Sequence, residues 1–180
     1  MHFKTKQLHL CQNHSLKIIV LISIFSCFSF ISNAQQDATA ATLNNIQHVP
    51  VFKIFTIPDS TAFTNEQLKK NKPFVLMFFS PDCDHCQKET KELLAYKEEL
   101  KGLQIVMVSP AAFSEIKTFY EDYNIAVMTN IMMGQDLNYT LGLKYQPRTY
   151  PSIFVYDSSG TLAKAFVGNI GVPAILDAVK

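Results

Sequence analysis

The six residues Phe74–Phe79 (FVLMFF) constrain this chain more than any other segment, because two closely spaced cysteines stand directly after them. An unbroken apolar run of strand length is what a strand covered on both faces requires, as in the middle of a sheet with helices on either side. Ser80-Pro81-Asp82 then reads as a turn and helix start. The next residues are Cys83-Asp84-His85-Cys86, opening a segment with a helical pattern to Leu100: Cys86, Leu93, Tyr96 and Leu100 fall near helical spacing and most of the rest is charged. The two cysteines therefore sit between a buried strand and a helix N-terminus.

That placement has chemical consequences. A helix N-terminus presents unpaired N–H groups and a partial positive charge. Both favour a thiolate, which is the nucleophilic form of cysteine. A spacing of two residues lets the sulfurs meet within one turn, so Cys83 can attack a disulfide and Cys86 can resolve the mixed disulfide that forms. His85 beside Cys86 would stabilise a thiolate, whereas Asp82 and Asp84 would oppose one. These effects act against each other and leave the redox direction open. Asp82 is also a candidate helix cap.

The other elements are read from pattern and punctuation. Strands are predicted at Val51–Ile57, Leu103–Ser109 and Ile125–Thr129, and helices at Thr64–Asn71, Ala111–Tyr123 and Gly134–Leu143. Ser152–Tyr156 and Thr161–Val167 flank Asp157-Ser158-Ser159-Gly160 and read as a β-hairpin. Val172–Lys180 reads as a terminal helix after Gly168. Strands alternate with helices first and a hairpin comes last. The fold class is therefore α/β, with a mixed central sheet flanked by helices on both faces.

The N-terminus is built differently. Residues 1–17 carry Lys4, Lys6 and Lys17 and no acid; Ile18–Ile31 is mostly apolar; Ser32-Asn33-Ala34 comes next with small residues. Basic, apolar and small in that order is a secretory signal. The apolar run is shorter than the ~20 residues of a spanning helix. The expectation is a signal peptide at 1–34, a polar flexible leader at 35–49 and one domain at 50–180, exported to a periplasm or secreted. Membrane association would come only through an uncleaved N-terminus or lipidation at Cys27, whose apolar continuation Phe28–Ile31 argues against a lipidation site.

Removing residues 1–34 takes three lysines and no acid, which leaves 13 basic against 15 acidic side chains, and it removes Cys11 and Cys27. Nothing in that balance supplies a basic face for nucleic acid. Two remaining cysteines so close together form no framework between distant loops. A metal site needs four ligands, and beyond Cys83 and Cys86 the histidines left are His48 and His85. No metal and no bound cofactor are expected.

The motif in its strand–turn–helix setting, Phe74–Glu89 (FVLMFFSPDCDHCQKE), together with Tyr150-Pro151 ahead of a strand, resembles the thioredoxin superfamily. It is most similar to the TlpA/ResA-type branch of exported thiol–disulfide oxidoreductases. The resemblance spans roughly Val51 to Lys180. It implies a thioredoxin-like fold and disulfide exchange with thiol- or disulfide-bearing proteins, fed by an upstream redox partner. It implies that Pro151 is cis and faces the cysteines, and that Tyr150 pairs through its backbone with the substrate chain; Pro147 is the competing proline. It also gives Glu89 a role in tuning the thiols, against the alternative of a solvated helix glutamate. The pattern departs from relatives that carry Trp before the first cysteine, where this chain has Asp82. It departs too from thioredoxin's buried aspartate, where this chain has Met77.

Two other classes stay open. A peroxiredoxin-type peroxidase would use Ser80, three residues before Cys83, and Arg148, but Leu76 stands where that motif has proline. A domain that only binds would keep the surface without the chemistry.

Overall fold

The computed structural model describes residues 45–180. The expected signal segment and most of the leader lie outside the described residues. No helix among the described residues is long and apolar enough to cross a membrane.

Seven strands form one sheet. They are β1 (Lys53–Thr56), β2 (Ala62–Thr64), β3 (Phe74–Phe78), β4 (Gln104–Ser109), β5 (Ile131–Gln135), β6 (Ser152–Tyr156) and β7 (Leu162–Val167), in the order β2-β1-β5-β4-β3-β6-β7. β3, β4 and β5 run parallel; β6 lies antiparallel to β3, and β7 antiparallel to β6. The sheet is mixed, as the element pattern predicts, and its last part is the expected antiparallel hairpin; its first part is not parallel as expected, because β1 pairs antiparallel with both β2 and β5.

Four helices cover it: α1 (Asp84–Ala95), α2 (Phe113–Asp122), α3 (Thr140–Tyr145) and α4 (Val172–Ala178). Every residue of β3 is buried, because its alternate side chains enter two different cores. Val75 and Met77, with Phe79 just beyond the strand, join Cys86, Leu93, Ile116, Phe119, Val172 and Ile175 under α1, α2 and α4. Phe74, Leu76 and Phe78 join Phe52, Ile54, Phe154, Tyr156 and the α3 residues Leu141 and Tyr145 on the other face. Stacking of Phe74 on Tyr156 and the edge-on contact of Phe78 with Phe154 fill that second core.

The leader does not stay free up to Val49. Ile46 is buried in the second core, and its carbonyl accepts from the buried Tyr156 hydroxyl at 2.9 Å. Gln47 and Val49 hydrogen-bond to the β6–β7 hairpin through Leu162 and Gly160. One isoleucine in a polar stretch carries no periodicity, so its partner could not be read from the sequence. The docked segment covers a sheet face that the short α3 leaves open.

Three further boundaries differ from expectation. Thr64–Asn71 is not a helix but the end of β2 and one 3-10 turn (Asn65–Gln67) with no buried residue to anchor a longer element. Ile125–Val127 is a 3-10 turn after the left-handed Asn124, and the strand begins at Ile131. Asn130 delays it by donating to the carbonyls of Leu100 and Leu103. Gly134 lies inside β5 rather than at a helix start; a β-carbon there would stand 2.8 Å from the Phe55 carbonyl oxygen. The next helix begins at Thr140, capped by the buried Asp136 carboxylate, which accepts from Thr140 Oγ1 and the N–H groups of Leu141 and Gly142.

Candidate active site

Cys83 occupies the N-cap of α1. Its backbone is extended (φ −88°, ψ 113°), and its sulfur accepts from the Cys86 N–H at 3.3 Å. The cap is thus the thiol itself. Asp82 turns aside: its carboxylate accepts from the Ser80 hydroxyl, which holds it below the usual carboxylate range, so it is not the helix cap. Cys83 is half-buried and Cys86 fully buried. The Cys86 thiol donates to Cys83 Sγ at 2.7 Å, and both cysteines are free thiols. Burial first, then the bond to Cys83, pushes the Cys86 thiol well above its ordinary value. One sulfur is therefore accessible and receives two donors, while the other is kept protonated beneath it.

Tyr150 and Pro151 stand just before β6, whose first residue Ser152 pairs with Phe78 at the end of β3, the strand that leads to the cysteines. The Tyr150–Pro151 peptide bond is cis. The Tyr150 carbonyl faces the motif and accepts from the Cys83 thiol at 3.5 Å. The Tyr150 hydroxyl is pushed up to about 12 by burial first, and then by the neighbouring Tyr139. Pro147 lies earlier in the loop, outside the hydrogen bonds of either sulfur.

Glu89 is not a solvated glutamate. It is fully buried three residues after Cys86, on the face of α1 that carries Cys86 and Leu93. Its Oε2 accepts from Asn169 Nδ2, from the Ile170 N–H at 2.9 Å and from the Gly171 N–H at 3.2 Å. The loop between β7 and α4 is thus tied to the helix that carries the cysteines. His85 sits exposed in the first turn of α1 and takes no part in the hydrogen bonds of either sulfur. Met77 shares the apolar core with Cys86, so β3 places no carboxylate under the buried thiol.

The sequence reading missed loop 169–171 and Tyr139. Gly168 and Gly171 were the only local signal, and both adopt positive φ. Among the described residues there is no group of three or more His, Cys, Asp or Glu side chains placed to hold a metal ion.

A family model for the AhpC/TSA family matches residues 46–165, most of the described chain. The chain belongs to the AhpC/TSA family. The match begins at Ile46, where the docked segment begins in the fold. This AhpC/TSA-family chain is also similar in structure to a secreted Mycobacterium tuberculosis disulfide oxidoreductase homologous to E. coli DsbE. The TM-score is 0.56 at 22% identity, over 72% of this chain and 87% of that one. It is similar to an exposed lipoprotein thioredoxin of Streptococcus pneumoniae (TM-score 0.59, 20% identity, 71% and 96% covered). It is similar as well to a peroxiredoxin-like protein from Aquifex aeolicus (TM-score 0.56, 20% identity, 68% and 75% covered). These likenesses establish a thioredoxin-like fold. No curated protein matches the chain.

Proposed function

We propose that this AhpC/TSA-family protein is a thiol–disulfide oxidoreductase of the cell envelope that exchanges disulfides with proteins through Cys83 and Cys86. The observation that carries this reading is the pairing of a half-exposed Cys83 sulfur, facing the Tyr150 carbonyl, with a buried Cys86 thiol 2.7 Å behind it. Family membership and the fold support the oxidoreductase class.

The Cys83 thiolate attacks one sulfur of a substrate disulfide. That S–S bond breaks, its other sulfur leaves as a thiolate, and a Cys83–substrate disulfide forms. The Cys86 thiol gives up its proton and attacks the Cys83 sulfur, releasing the second substrate thiolate. The protein is left with a Cys83–Cys86 disulfide, having given two electrons. An upstream dithiol protein restores it, and the same steps in reverse deliver a disulfide to a substrate. Tyr150 and Pro151 receive the substrate backbone beside Cys83, and Glu89 holds the buried carboxylate that Met77 does not supply. His85 modulates the charge at the exposed rim.

Hydrogen-bond partners favour this dithiol reading over a peroxidase. Among the described residues the Cys83 sulfur is bonded to Cys86 and the Tyr150 carbonyl, while the exposed Arg148 takes no part. Export rests on the Lys-rich, apolar and small-residue order of residues 1–34. The neighbours described as secreted or exposed agree with it.

The test is a pair of substitutions assayed on a protein disulfide. Cys83→Ser abolishes exchange, and Cys86→Ser accumulates a covalent substrate adduct at Cys83, visible by non-reducing electrophoresis. Full activity in Cys83→Ser sinks the mechanism, and rapid peroxide turnover by Cys86→Ser favours the peroxidase.

A further inference from the structure

Among the described residues, two buried side-chain atoms lack a hydrogen-bond partner: Glu89 Oε1 and Glu92 Oε2. A buried polar atom left unpaired is costly, and more so when charged. Two on one helix, three residues apart, need an explanation.

For Glu89 the asymmetry is sharp. Oε2 takes three donors, from Asn169, Ile170 and Gly171, while Oε1 takes none. One oxygen is locked in place and the other is left bare. Anchoring the loop accounts for the first and not for the second.

For Glu92 there is no anchor at all. Its carboxylate makes no hydrogen bond or ion pair with the described residues, although the side chain is folded inward against Gly171. Oε2 lies 3.1 Å from the point a Gly171 β-carbon would occupy. Gly171 also donates to Glu89, so both carboxylates border one residue. Gly171 leaves that space open, and its φ of 79° keeps other residues from filling it without strain.

Cys86, Glu89 and Glu92 succeed one another at intervals of three along α1, which places each beside the next. Cys86 and Glu89 are sealed from solvent; Glu92 is half-buried. The line therefore runs from a buried thiol to the surface.

We propose that Glu92 is the outer station of a proton path serving Cys86. The proposal rests on the dithiol exchange proposed for Cys83 and Cys86 and adds a residue to it. When Cys86 attacks the mixed disulfide, its S–H proton passes to Glu89 Oε1, directly or across one water. Glu92 takes that proton from Glu89 and releases it to solvent, restoring both carboxylates. In the reverse direction, when the Cys83–Cys86 disulfide is opened, the Cys86 thiolate regains a proton along the same line. No electron moves on the path, and charge balances at each transfer. Glu92 acts through Glu89 and does not touch the sulfurs.

The experiment uses dithiobis(nitrobenzoate) and the reduced full chain in a stopped-flow absorbance assay across a range of pH. The first thionitrobenzoate is released when Cys83 attacks, and the second when Cys86 resolves the adduct. In Glu92→Gln the first phase keeps its wild-type rate. The second slows roughly tenfold on the acid side, less than the hundredfold or more of a directly contacting acid–base group. Glu92→Asp, which keeps the carboxyl, restores most of the second phase. The proposal is overturned if Glu92→Gln resolves at the wild-type rate at every pH, or if both phases slow equally, as a loosened helix would produce. If the wild-type protein releases no second thionitrobenzoate, the exchange reading fails and takes this proposal with it.

Discussion

The Cys83 thiol donates to the main-chain carbonyl of Tyr150 at 3.5 Å, across 67 residues of sequence. In the proposed exchange an extended substrate docks at this backbone acceptor, and the half-buried Tyr150 side chain is the adjoining wall. Tyr150→Ala keeps the carbonyl and removes the wall. Truncating such an aromatic contact is expected to cost about 1 kcal/mol of protein-substrate binding, roughly fivefold in KM. The rate with a small disulfide stays within about twofold, since it needs no wall. Steady-state kinetics with both substrates check this, and an equal loss with both contradicts it.

Cys83 is half-buried and Cys86 fully buried, so they differ in reactivity. Cys86 is sealed from solvent, and its thiol is pushed up by burial. Iodoacetamide at neutral pH is expected to modify Cys83 at least about tenfold faster than Cys86, since the thiolate is the reacting form. Peptide mass spectrometry after short exposure reads the ratio. Equal labelling means that burial does not protect the Cys86 thiol.

Alkaline pH separates the reduced and oxidised proteins. The Cys86 thiol is raised above its ordinary value of 9.0 in the fold. A group raised in this way contributes stability that is intact below its unfolded value and falls as pH rises past it. Reduced protein therefore begins to lose stability above about pH 9, by up to about 1.4 kcal/mol per pH unit for this one group. Oxidised protein has no such thiol. Its loss begins nearer 10, where unfolded tyrosine ionises, because Tyr156 is raised to about 12 by burial. Urea midpoints of both forms between pH 7 and pH 11 show the two onsets. Coincident onsets refute the assignment.

Glu89 joins α1 to the loop before α4 through three donors on one oxygen. Glu89→Ala strands the Ile170 and Gly171 N–H groups and is expected to destabilise the fold by about 3 kcal/mol, given about 1.5–3 kcal/mol for a hydrogen bond to a charged group and incomplete additivity. Glu89→Gln keeps an acceptor oxygen and loses less. Equilibrium denaturation ranks the two, and equal stabilities would remove the anchoring role.

Ile46 tests whether the docked segment belongs to the folded unit. It is 2% exposed, and its carbonyl accepts from Tyr156. Ile46→Ala should cost about 2–4 kcal/mol, the range for a truncated buried aliphatic side chain. A change under about 0.5 kcal/mol would mean the segment adds nothing to the core.

Much of the site is legible in the sequence because it is local. The apolar run Phe74–Phe79, the turn and the two cysteines lie close together in the chain, and strand-to-helix placement is set by their pattern alone. The hairpin at Ser152–Val167 is legible for the same reason, since Gly160 lies between two apolar runs. The errors fall where tertiary contacts override weak local preference. Asn130 and its carbonyl partners hold the start of β5 back from the apolar Ile125 to Ile131. Residues 65–71 have helical composition but set only Leu68 against the core, too little apolar face for a helix.

The chain by itself determined the α/β class, the antiparallel hairpin that ends the sheet, and the placement of two cysteines between a buried strand and a helix start. Periodicity and punctuation act over a few residues, and these features need nothing longer. Only the tertiary structure decided that Glu89 is buried rather than solvated, that Ile46 closes the second core, and that Glu92 stands bare beside Gly171. Each depends on a partner far away in the sequence. A glutamate on a charged helix looks the same in sequence whether it meets water or a loop, so the choice is made by what packs against it.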